Sequence, residues 1–399
     1  MAASDLTTVA FIVKKDYSGR TPGDMAERDH PLFHSIAKEG DFVGSSHPYA
    51  LKYQNGQGVS GTFARAQANA KAMSGKQLEV TRKAKYGVYT LNGEWMAATR
   101  SNKGAFMRGV NAEVDGVIIE MGDSFAFDLY RDGNGIRGQR ASIASNTVTL
   151  TDPADARNFK VNMTVGADDT ATGLSPRVGT SYVTAVDIAN GKITLEDASD
   201  IALFANNDYL FRDGDPGTCM EGLAVCTPLT APVLSSDSFR GIDRGSFPEL
   251  LAGSRINDTS TSIEENIGLL GVQIDALGRK VRECYINPIN FFKVTRRLNA
   301  KVEYQKAGGS VDWGFQHVTI VTPAGPIKLV SDPDCPLNRF YLVNPESHFL
   351  KHLDGLPHII EDDGRPTLRA ANADDIEGRA RGWVNYIQPL PGDFGVGAI

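Results

Sequence analysis

The sequence predicts an α+β protein in which a small all-β domain is inserted after one long helix. Three observations support this fold class. One apolar stripe at helical spacing runs from Phe106 to Leu129. Residues 137–213 then follow the alternating apolar and polar pattern of short strands. From about residue 216, helix-capping signals and short apolar strands occur together, which is typical of a mixed sheet with helices packed on it.

Length and composition restrict the class of protein. With 399 residues, of which 41% are hydrophobic and 22% charged, the chain is globular and long enough for two or more folded units. The net charge of −7 excludes a protein whose whole surface binds nucleic acid. The apolar run Val9–Val13 is too short for a membrane span or a signal-peptide core, so we expect no membrane partner. No C-x-x-C pair occurs, and we expect four reduced, mostly buried thiols at Cys219, Cys226, Cys284 and Cys335.

Residues 1–60 are predicted to be an extended N-terminal arm. They carry little hydrophobic periodicity and several breakers of regular structure, among them Pro22, Pro31 and Pro48. Such a segment cannot bury a face of its own and becomes ordered by lying on another surface. Its first 40 residues hold five basic and six acidic groups, so it is not a basic nucleic-acid arm.

Residues 61–101 are predicted to form an extended loop built as a β-hairpin. Two runs alternate as strand residues do, Leu78 with Val80 and then Tyr86 with Val88 and Thr90. Between residues 61 and 103 there are eight basic and only two acidic residues. Because a long two-stranded ribbon with few apolar residues is not stable alone, we expect it to need a partner surface.

Residues 102–136 are predicted to be a spine helix. Ser101 or Asn102 can cap its start, and the turn Asp132–Gly135 ends it. About 30 residues at 1.5 Å each make a rod of roughly 45 Å, which is long for a compact enzyme.

Residues 137–215 are predicted to be the inserted domain, a small β-barrel or sandwich. Alternation runs through Phe159–Val165 and Tyr182–Ile188, and Asn190-Gly191 is a hairpin turn. With the flanking apolar pairs these segments make five or six short strands.

The remaining chain is predicted to be a mixed unit over 216–340. Ser262–Glu265 is a capping box that opens a helix ending at Gly278. Cys284–Ile286 is a buried strand, and Asn287-Pro288 starts a second helix whose inward residues are Phe291, Phe292 and Leu298.

Residues 341–399 are predicted to supply C-terminal strands and an acidic segment. A hairpin over 318–330 precedes them. Tyr341–Val343 is one strand, and Trp383–Leu390 is predicted to be the last strand of the chain.

Sequence motifs for catalysis are missing or fail in context. The G-x-G-x-x-G matches at 56–61 and 133–138 do not follow a buried strand, so neither predicts a dinucleotide site. No G-x-S-x-G elbow, P-loop or EF-hand loop occurs in the sequence. We therefore expect no enzymatic activity and no cofactor.

His348 and His352 are the best candidates for a metal site. They lie four residues apart on a short helix that Asn344-Pro345 is predicted to begin, with Asp354 and His358 nearby. Zinc would need a third ligand, and the glutamate of an H-E-x-x-H motif is missing. We favour a solvated or partner-facing pair over a metal centre.

The charge distribution predicts contacts between subunits. Seven acidic groups and three arginines lie between Asp354 and Arg379, opposite in sign to the basic hairpin. The two regions would be complementary across neighbouring subunits, the alternative being two independent solvated surfaces. Reversing Arg82, Lys83 and Lys85 to glutamate should then block assembly and leave the subunit folded. The candidate contact residues are Arg65, Lys71, Lys76, Arg82, Lys83, Lys85, Glu361, Asp362, Asp363, Asp374 and Asp375.

The order of arm, basic hairpin, long helix, mixed region and late strand resembles the major capsid proteins of tailed bacteriophages, the Hong Kong 97 phage-type coat fold. Asn102–Phe106 leading into Tyr130–Gly133 looks like that family's spine helix. Phe239–Arg244 followed by Leu251–Gly253 looks like the entry to its axial domain, and Tyr285–Pro288 matches a strand-to-helix step within it.

The resemblance implies a role for each segment. The spine helix and late strands would form a peripheral domain, residues 216–340 an axial domain at the centre of each capsomer, and the insertion an extra domain on the outer capsid face. The implied partners are further copies of the chain in hexamers and pentamers, portal and scaffolding proteins, a candidate decoration protein, and non-specifically packaged double-stranded DNA. The implied location is the virion capsid, assembled in the host bacterial cytoplasm.

Other functions remain open at this stage. One is an encapsulin-like nanocompartment shell, which has the same fold. Another is a glycan-binding phage tail or surface protein, which would need exposed aromatics on residues 137–213. Some capsid proteins join subunits by a Lys–Asn bond, but no lysine here matches that site, and we expect none.

Overall fold

The computed structural model describes residues 29–42, 44–94, 103–298, 318–361, 367–369 and 374–399. These residues form a long hairpin, a long helix, a closed barrel, and two six-stranded sheets that share a core.

The first described segment is anchored to the body of the subunit. It contains helix α1 (Pro31–Ser35) and strand β1 (Ala37–Glu39). Strand β1 pairs in parallel with residues 349–351, and Leu32, Phe33 and Ile36 are buried. The predicted arm over 1–60 therefore ends earlier than expected, because residues 46–54 are already a strand.

The long hairpin differs from the predicted one. It is formed by β2 (Ser46–Gln54) and β3 (Ser74–Thr81), with helix α2 (Phe63–Ala68) near its tip. The next strand, β4 (Lys83–Asn92), does not pair with β3 but with residues 375–384. Arg82 alone separates β3 from β4, and one residue cannot make a hairpin turn. Alternation located both strands correctly, but their partners lie elsewhere in the chain.

The predicted spine helix is present as α3 (Lys103–Leu129), 27 residues long. Met121, Phe125 and Leu129 of its second half are buried in the shared core. The chain leaves the helix through Gly133 and Gly135, which both have positive φ.

A closed six-stranded barrel follows the helix. Its strands are β5 (Ile136–Ala144), β6 (Thr147–Leu150), β7 (Thr164–Asp168), β8 (Ser181–Asp187), β9 (Lys192–Leu195) and β10 (Tyr209–Arg212). The alternation over 159–165 is not a strand as predicted, because a 3₁₀ helix capped by Asp152 occupies 153–158 and β7 begins only at Thr164. Phe159 and Met163 nevertheless fill the barrel core. The first strand, β5, pairs with the last, β10, so the chain enters and leaves the barrel through neighbouring strands.

The second sheet and its helices come next. The elements in chain order are α4 (Leu223–Cys226), β11 (Ser238–Phe239), β12 (Ile242–Asp243), α5 (Pro248–Leu251), β13 (Ser254–Ile256), α6 (Ile263–Ala276), β14 (Glu283–Ile286), α7 (Pro288–Leu298), β15 (Val318–Thr322), β16 (Gly325–Ser331) and β17 (Arg339–Val343). Phe292, predicted to face inward on α7, is exposed; the buried face of this helix contains Asn290, Val294 and Thr295.

The C-terminal strands belong to both sheets. They are β18 (Phe349–His352), β19 (His358–Ile359), β20 (Thr367–Arg369), β21 (Asp375–Ile387) and β22 (Gly395–Ala398). The first sheet has the order β1-β18-β21-β19, and β4 and β20 also pair with β21. The second sheet has the order β13-β22-β17-β14-β16-β15.

The last strand is therefore β22 and not Trp383–Leu390. This strand belongs to the second sheet, so the predicted C-terminal unit over 341–399 is divided between the two sheets. Gly395 and Gly397 make this possible, since a side chain there would collide with Leu270 and Phe340.

Candidate assembly surface

The base of the long hairpin is fixed to the subunit. Leu51 and Leu78 pack with Ile242 and Leu251 in one apolar cluster. The Arg240 guanidinium donates to the Tyr49 hydroxyl at 3.1 Å and to Glu221 at 2.7 Å. Lys76 donates to the carbonyl of Gly241. Lys76, predicted as an inter-subunit contact, is thus used in holding the hairpin on its own subunit.

The tip of the hairpin, residues 55–73, projects without a core. Val59 is 94% and Phe63 83% exposed, and helix α2 has no buried residue. Arg65 and Lys71 are exposed there and form no ion pair within the described part of the chain. Exposed apolar side chains next to basic ones mark a surface that a partner covers. Arg65 and Lys71 therefore remain candidate contacts.

Strand β4 and its neighbourhood use the other predicted basic residues within the subunit. The Arg82 guanidinium lies 5.2 Å from the Trp383 ring centroid and 5.9 Å from that of Phe42. Lys83 donates to the carbonyl of Gly217 at 2.8 Å.

Lys85 was predicted to contact a neighbouring subunit, but it is bonded inside its own subunit. Its Nζ lies 2.8 Å from Asp128 Oδ2 and 3.7 Å from Asp215 Oδ1, and its side chain is nearly buried. Burial lowers the pKa of Lys85, but the two carboxylates outweigh burial, and the net pKa is raised. Replacing Lys85 by glutamate would place a third carboxylate in this site, so the triple reversal should not leave the subunit folded.

The acidic segment lies partly against the basic strand of the same chain. β4 pairs with β21, and Asp375 accepts a hydrogen bond from Asn92 at 3.1 Å. Asp374 pairs with Arg369 at 3.1 Å, and both side chains are exposed. Glu361 is exposed, and Asp362 and Asp363 lie outside the described residues. The structure thus pairs a strand of the basic region with a strand of the acidic region inside one subunit. Charge complementarity between the two regions of neighbouring subunits remains a proposal.

His348 and His352 lie on or beside strand β18, not on a helix as predicted. His348 is 3% exposed, packs edge-on against Tyr386, and has its pKa lowered to about 4 by burial. In the described part of the chain, no three metal-ligating side chains come together. Four residues of extended chain span about 13 Å, which is too far for the two imidazoles to bind one metal ion.

The cysteines offer no reactive thiol. All four are free and buried. Burial raises the pKa of Cys226 to about 11 and raises the pKa of the other three thiols as well. A thiol of raised pKa is a poor nucleophile at neutral pH. None of the helices in the described ranges is long and apolar enough to span a membrane.

A charged junction that no sequence motif predicted lies where four parts of the chain meet. His30 bridges Asp123 of the spine helix at 2.6 Å and Asp334, in the loop after β16, at 2.5 Å. Lys160 of the barrel also contacts Asp123, and it lies 2.5 Å from Glu120. Burial lowers the pKa of His30, but hydrogen bonds to both carboxylates raise it to about 10. The partners of His30 are 93 and 304 residues away, so no local pattern could reveal the junction.

Comparison with known proteins gives the fold. No protein-family model and no curated protein matches the sequence. The capsid asymmetric unit of cyanophage A-1(L) superposes with a TM-score of 0.58 at 12% identity, covering 98% of this chain and 97% of that chain. The capsid of a native GTA particle gives 0.51 at 7% identity, covering 100% and 99%. An encapsulin of Synechococcus elongatus gives 0.48 at 8% identity, covering 100% and 96%. The cyanophage and GTA superpositions show that the chain has the fold of those capsid subunits, the Hong Kong 97-type fold that the sequence resemblance implied.

Proposed function

We propose that this chain is the major capsid protein of a tailed double-stranded DNA bacteriophage. It would self-assemble into the icosahedral head that encloses the genome. The observation that carries the proposal is the likeness to the cyanophage capsid subunit along 98% of the chain. Because one fold can host different functions, the surfaces of this chain must support the proposal too.

The long hairpin supports it. Its base is held by the Arg240 contacts and by an apolar cluster, whereas its tip exposes Val59 and Phe63. A projecting ribbon of this kind is stable only when another surface covers it. Neighbouring copies in a shell would supply that surface, and the exposed Glu361 and Asp374, with the half-buried Asp375, are candidate partners of Arg65 and Lys71.

A structural role rather than a catalytic one fits the side chains. His352 belongs to strand β18 and His348 directly precedes it, and the cysteines are buried with raised pKa values. A coat subunit needs no nucleophile, and much of its stability comes from surface covered by neighbours.

We assign segment roles in the proposed shell as follows. Residues 29–42 belong to the arm, β2–β3 form the extended loop, the first sheet with α3 forms the peripheral domain, and the second sheet forms the axial domain. The barrel is an additional domain on the outer face. Hexamers and pentamers of the chain, portal and scaffolding proteins, a decoration protein and packaged DNA are the proposed partners, in a virion assembled in the host bacterial cytoplasm.

Two other functions are weaker candidates. An encapsulin-like shell would have the same fold and would differ in cargo. Glycan binding by the barrel is less well supported, because Phe159 and Phe211 are buried in the barrel and only Tyr182, 52% exposed, offers a stacking surface.

Negative-stain electron microscopy of the purified chain, alone and co-expressed with its neighbouring genes, tests the proposal. We expect closed icosahedral shells, or hexamer and pentamer rings. Nuclease-protected DNA inside particles would support a phage head, and a packaged enzyme would support a nanocompartment. A monomer or small oligomer under every condition would contradict both and would make the barrel the next object of study.

A further inference from the structure

Helices α6 and α7 cover the same side of the second sheet. Ile267, Leu270 and Ile274 of α6 and Val294 of α7 pack into one apolar core with β14, β16 and β17. The two helices meet at one end, where Arg297 lies 3.9 Å from Glu264. The opposite faces of both helices therefore point away from this core.

The outward face of α7 is apolar at its centre and basic at its edge. We call Ile289, Phe292, Lys293 and Arg296 the basic face; their spacing of 3, 1 and 3 residues puts them on one side of the helix. Phe292 is 62% exposed, as expected of a residue awaiting a partner rather than a core. Lys293 donates only to Asn290 of its own helix, at 3.0 Å. In the described part of the chain, neither Lys293 nor Arg296 has a carboxylate within ion-pair distance.

The outward face of α6 has the opposite charge. We call Glu265, Leu269 and Val272, with Asp275 beside them, the acidic face; the first three follow a spacing of 4 and 3 residues. Leu269 is 51% exposed. Glu265 accepts a hydrogen bond from Ser262 at 3.5 Å, and within the described ranges neither Glu265 nor Asp275 has a basic side chain within ion-pair distance.

We infer that the acidic face of one copy packs against the basic face of a second copy. Each face offers two apolar side chains for burial and two charges that the other complements, and complementary charges select partner and register. The two faces of one subunit cannot contact each other, because both helices are packed on the same sheet with these faces exposed. The inference rests on the proposed self-assembly and names surfaces through which it occurs.

Charge reversal with rescue tests the pairing. We compare wild type with E265K/D275K, with K293E/R296E, and with the variant that carries all four changes. Each double reversal places like charges opposite each other, and should lower the assembled fraction in sedimentation velocity by about tenfold or more. The fourfold variant restores opposite charges, and its assembled fraction should return to within about threefold of wild type.

The controls separate contact from folding. K293R/R296K keeps the charges of α7, and K192E reverses an exposed charge on the barrel; both should assemble as wild type does. Circular dichroism melting should show that every variant folds, and F292S tests the apolar centre without any change of charge. It should also lower assembly.

The outcomes distinguish this inference from the proposed function. Wild-type shells together with unaffected double reversals would overturn the inference and leave the capsid function standing. Reversals that block assembly without rescue in the fourfold variant would show that these faces meet other surfaces, which also overturns the pairing. A wild-type chain that stays monomeric under every condition overturns both.

Discussion

At the scale of single residues, the charged junction around His30 decides how the parts of the subunit are fixed to one another. One imidazole ring, nearly buried, bonds to carboxylates of the spine helix and of the loop after β16. The same Asp123 receives Lys160 from the barrel. The arm, the helix, the barrel and the second sheet are thus linked by one network of charged side chains. Removing one of these side chains leaves a buried charge with fewer partners of opposite sign.

His30→Ala should lower the free energy of unfolding by about 3–5 kcal/mol, because Asp123 and Asp334 would lose a buried cation. The matched control is His34→Ala. His34 is mostly exposed and lies 3.6 Å from an exposed Asp29, so its loss should cost less than about 1 kcal/mol. Urea unfolding at pH 6 measures both. Equal effects of the two substitutions would contradict the role of His30.

The His30 contribution should depend on pH in a defined direction. Its pKa is about 10 in the folded chain against 6.5 for an ordinary histidine. A raised pKa stabilises the fold fully below pH 6.5, and this stabilisation is lost as the pH rises to 10. Wild type should therefore lose more stability than His30→Gln between these two pH values. Parallel pH profiles of the two proteins would show that the imidazolium carries no stability.

Two neighbouring lysines of β4 should behave differently. Lys85→Met removes the cation 2.8 Å from the buried Asp128 and should cost about 3–5 kcal/mol, whereas Asp215 keeps Arg137 at 3.4 Å. Lys83→Met removes only a hydrogen bond to the Gly217 carbonyl and should cost about 1 kcal/mol or less. Thermal unfolding of both variants, with the two changes matched in size and charge, checks the assignment. A folded, stable Lys85→Met protein would return Lys85 to the set of assembly contacts.

At the scale of elements, the long hairpin is divided into a fixed base and a free tip. Its base is bonded through Lys76 and Tyr49 to the β11–β12 turn. Its tip, beyond Gln54, is exposed on all sides. This division separates the residues that hold the subunit together from those available to a neighbour.

Arg65→Glu combined with Lys71→Glu should block assembly and leave the subunit folded. Both side chains are exposed and form no ion pair in the described ranges, so the free energy of unfolding should change by about 0.5 kcal/mol or less. Electron microscopy and melting curves measure the two effects, with Lys192→Glu on the barrel as the control. Normal particles from the double variant would remove these two residues from the proposed contacts.

At the scale of the whole molecule, the exposed apolar residues indicate that the free subunit is less stable than the assembled one. The most exposed of them lie at the hairpin tip, on the barrel at Leu203, and on the β15 edge at Val321. Single exposed apolar residues are ordinary, but the group at the tip has no core beneath it.

Assembled particles should therefore melt at a higher temperature than free subunits of the same chain. Binding of neighbours to the folded state alone adds about 2.7 kcal/mol when the free partner concentration is 100 times the dissociation constant. Scanning calorimetry of purified particles and of dissociated subunits gives both temperatures. Identical Tm values would contradict a subunit stabilised by its neighbours.

The sequence by itself determined the local elements. The stripe from Phe106 to Leu129 predicted α3, and alternation predicted most barrel strands, because helix and strand periodicities are properties of consecutive residues. The order of these elements also led to the coat fold. Even the strand positions around Leu78 and Val88 were found without the structure.

Only the tertiary structure decided which elements meet. It paired β4 with β21 across almost 300 residues, placed β22 in the second sheet, and turned Phe292 outward. It also joined His30 to Asp334 and buried Lys85 beside Asp128. Alternation shows which residues share a face of a strand, but not which strand lies beside it. A charged residue in the sequence likewise does not show whether its side chain is buried. Those properties are set by contacts between distant residues, which exist only once the chain has folded.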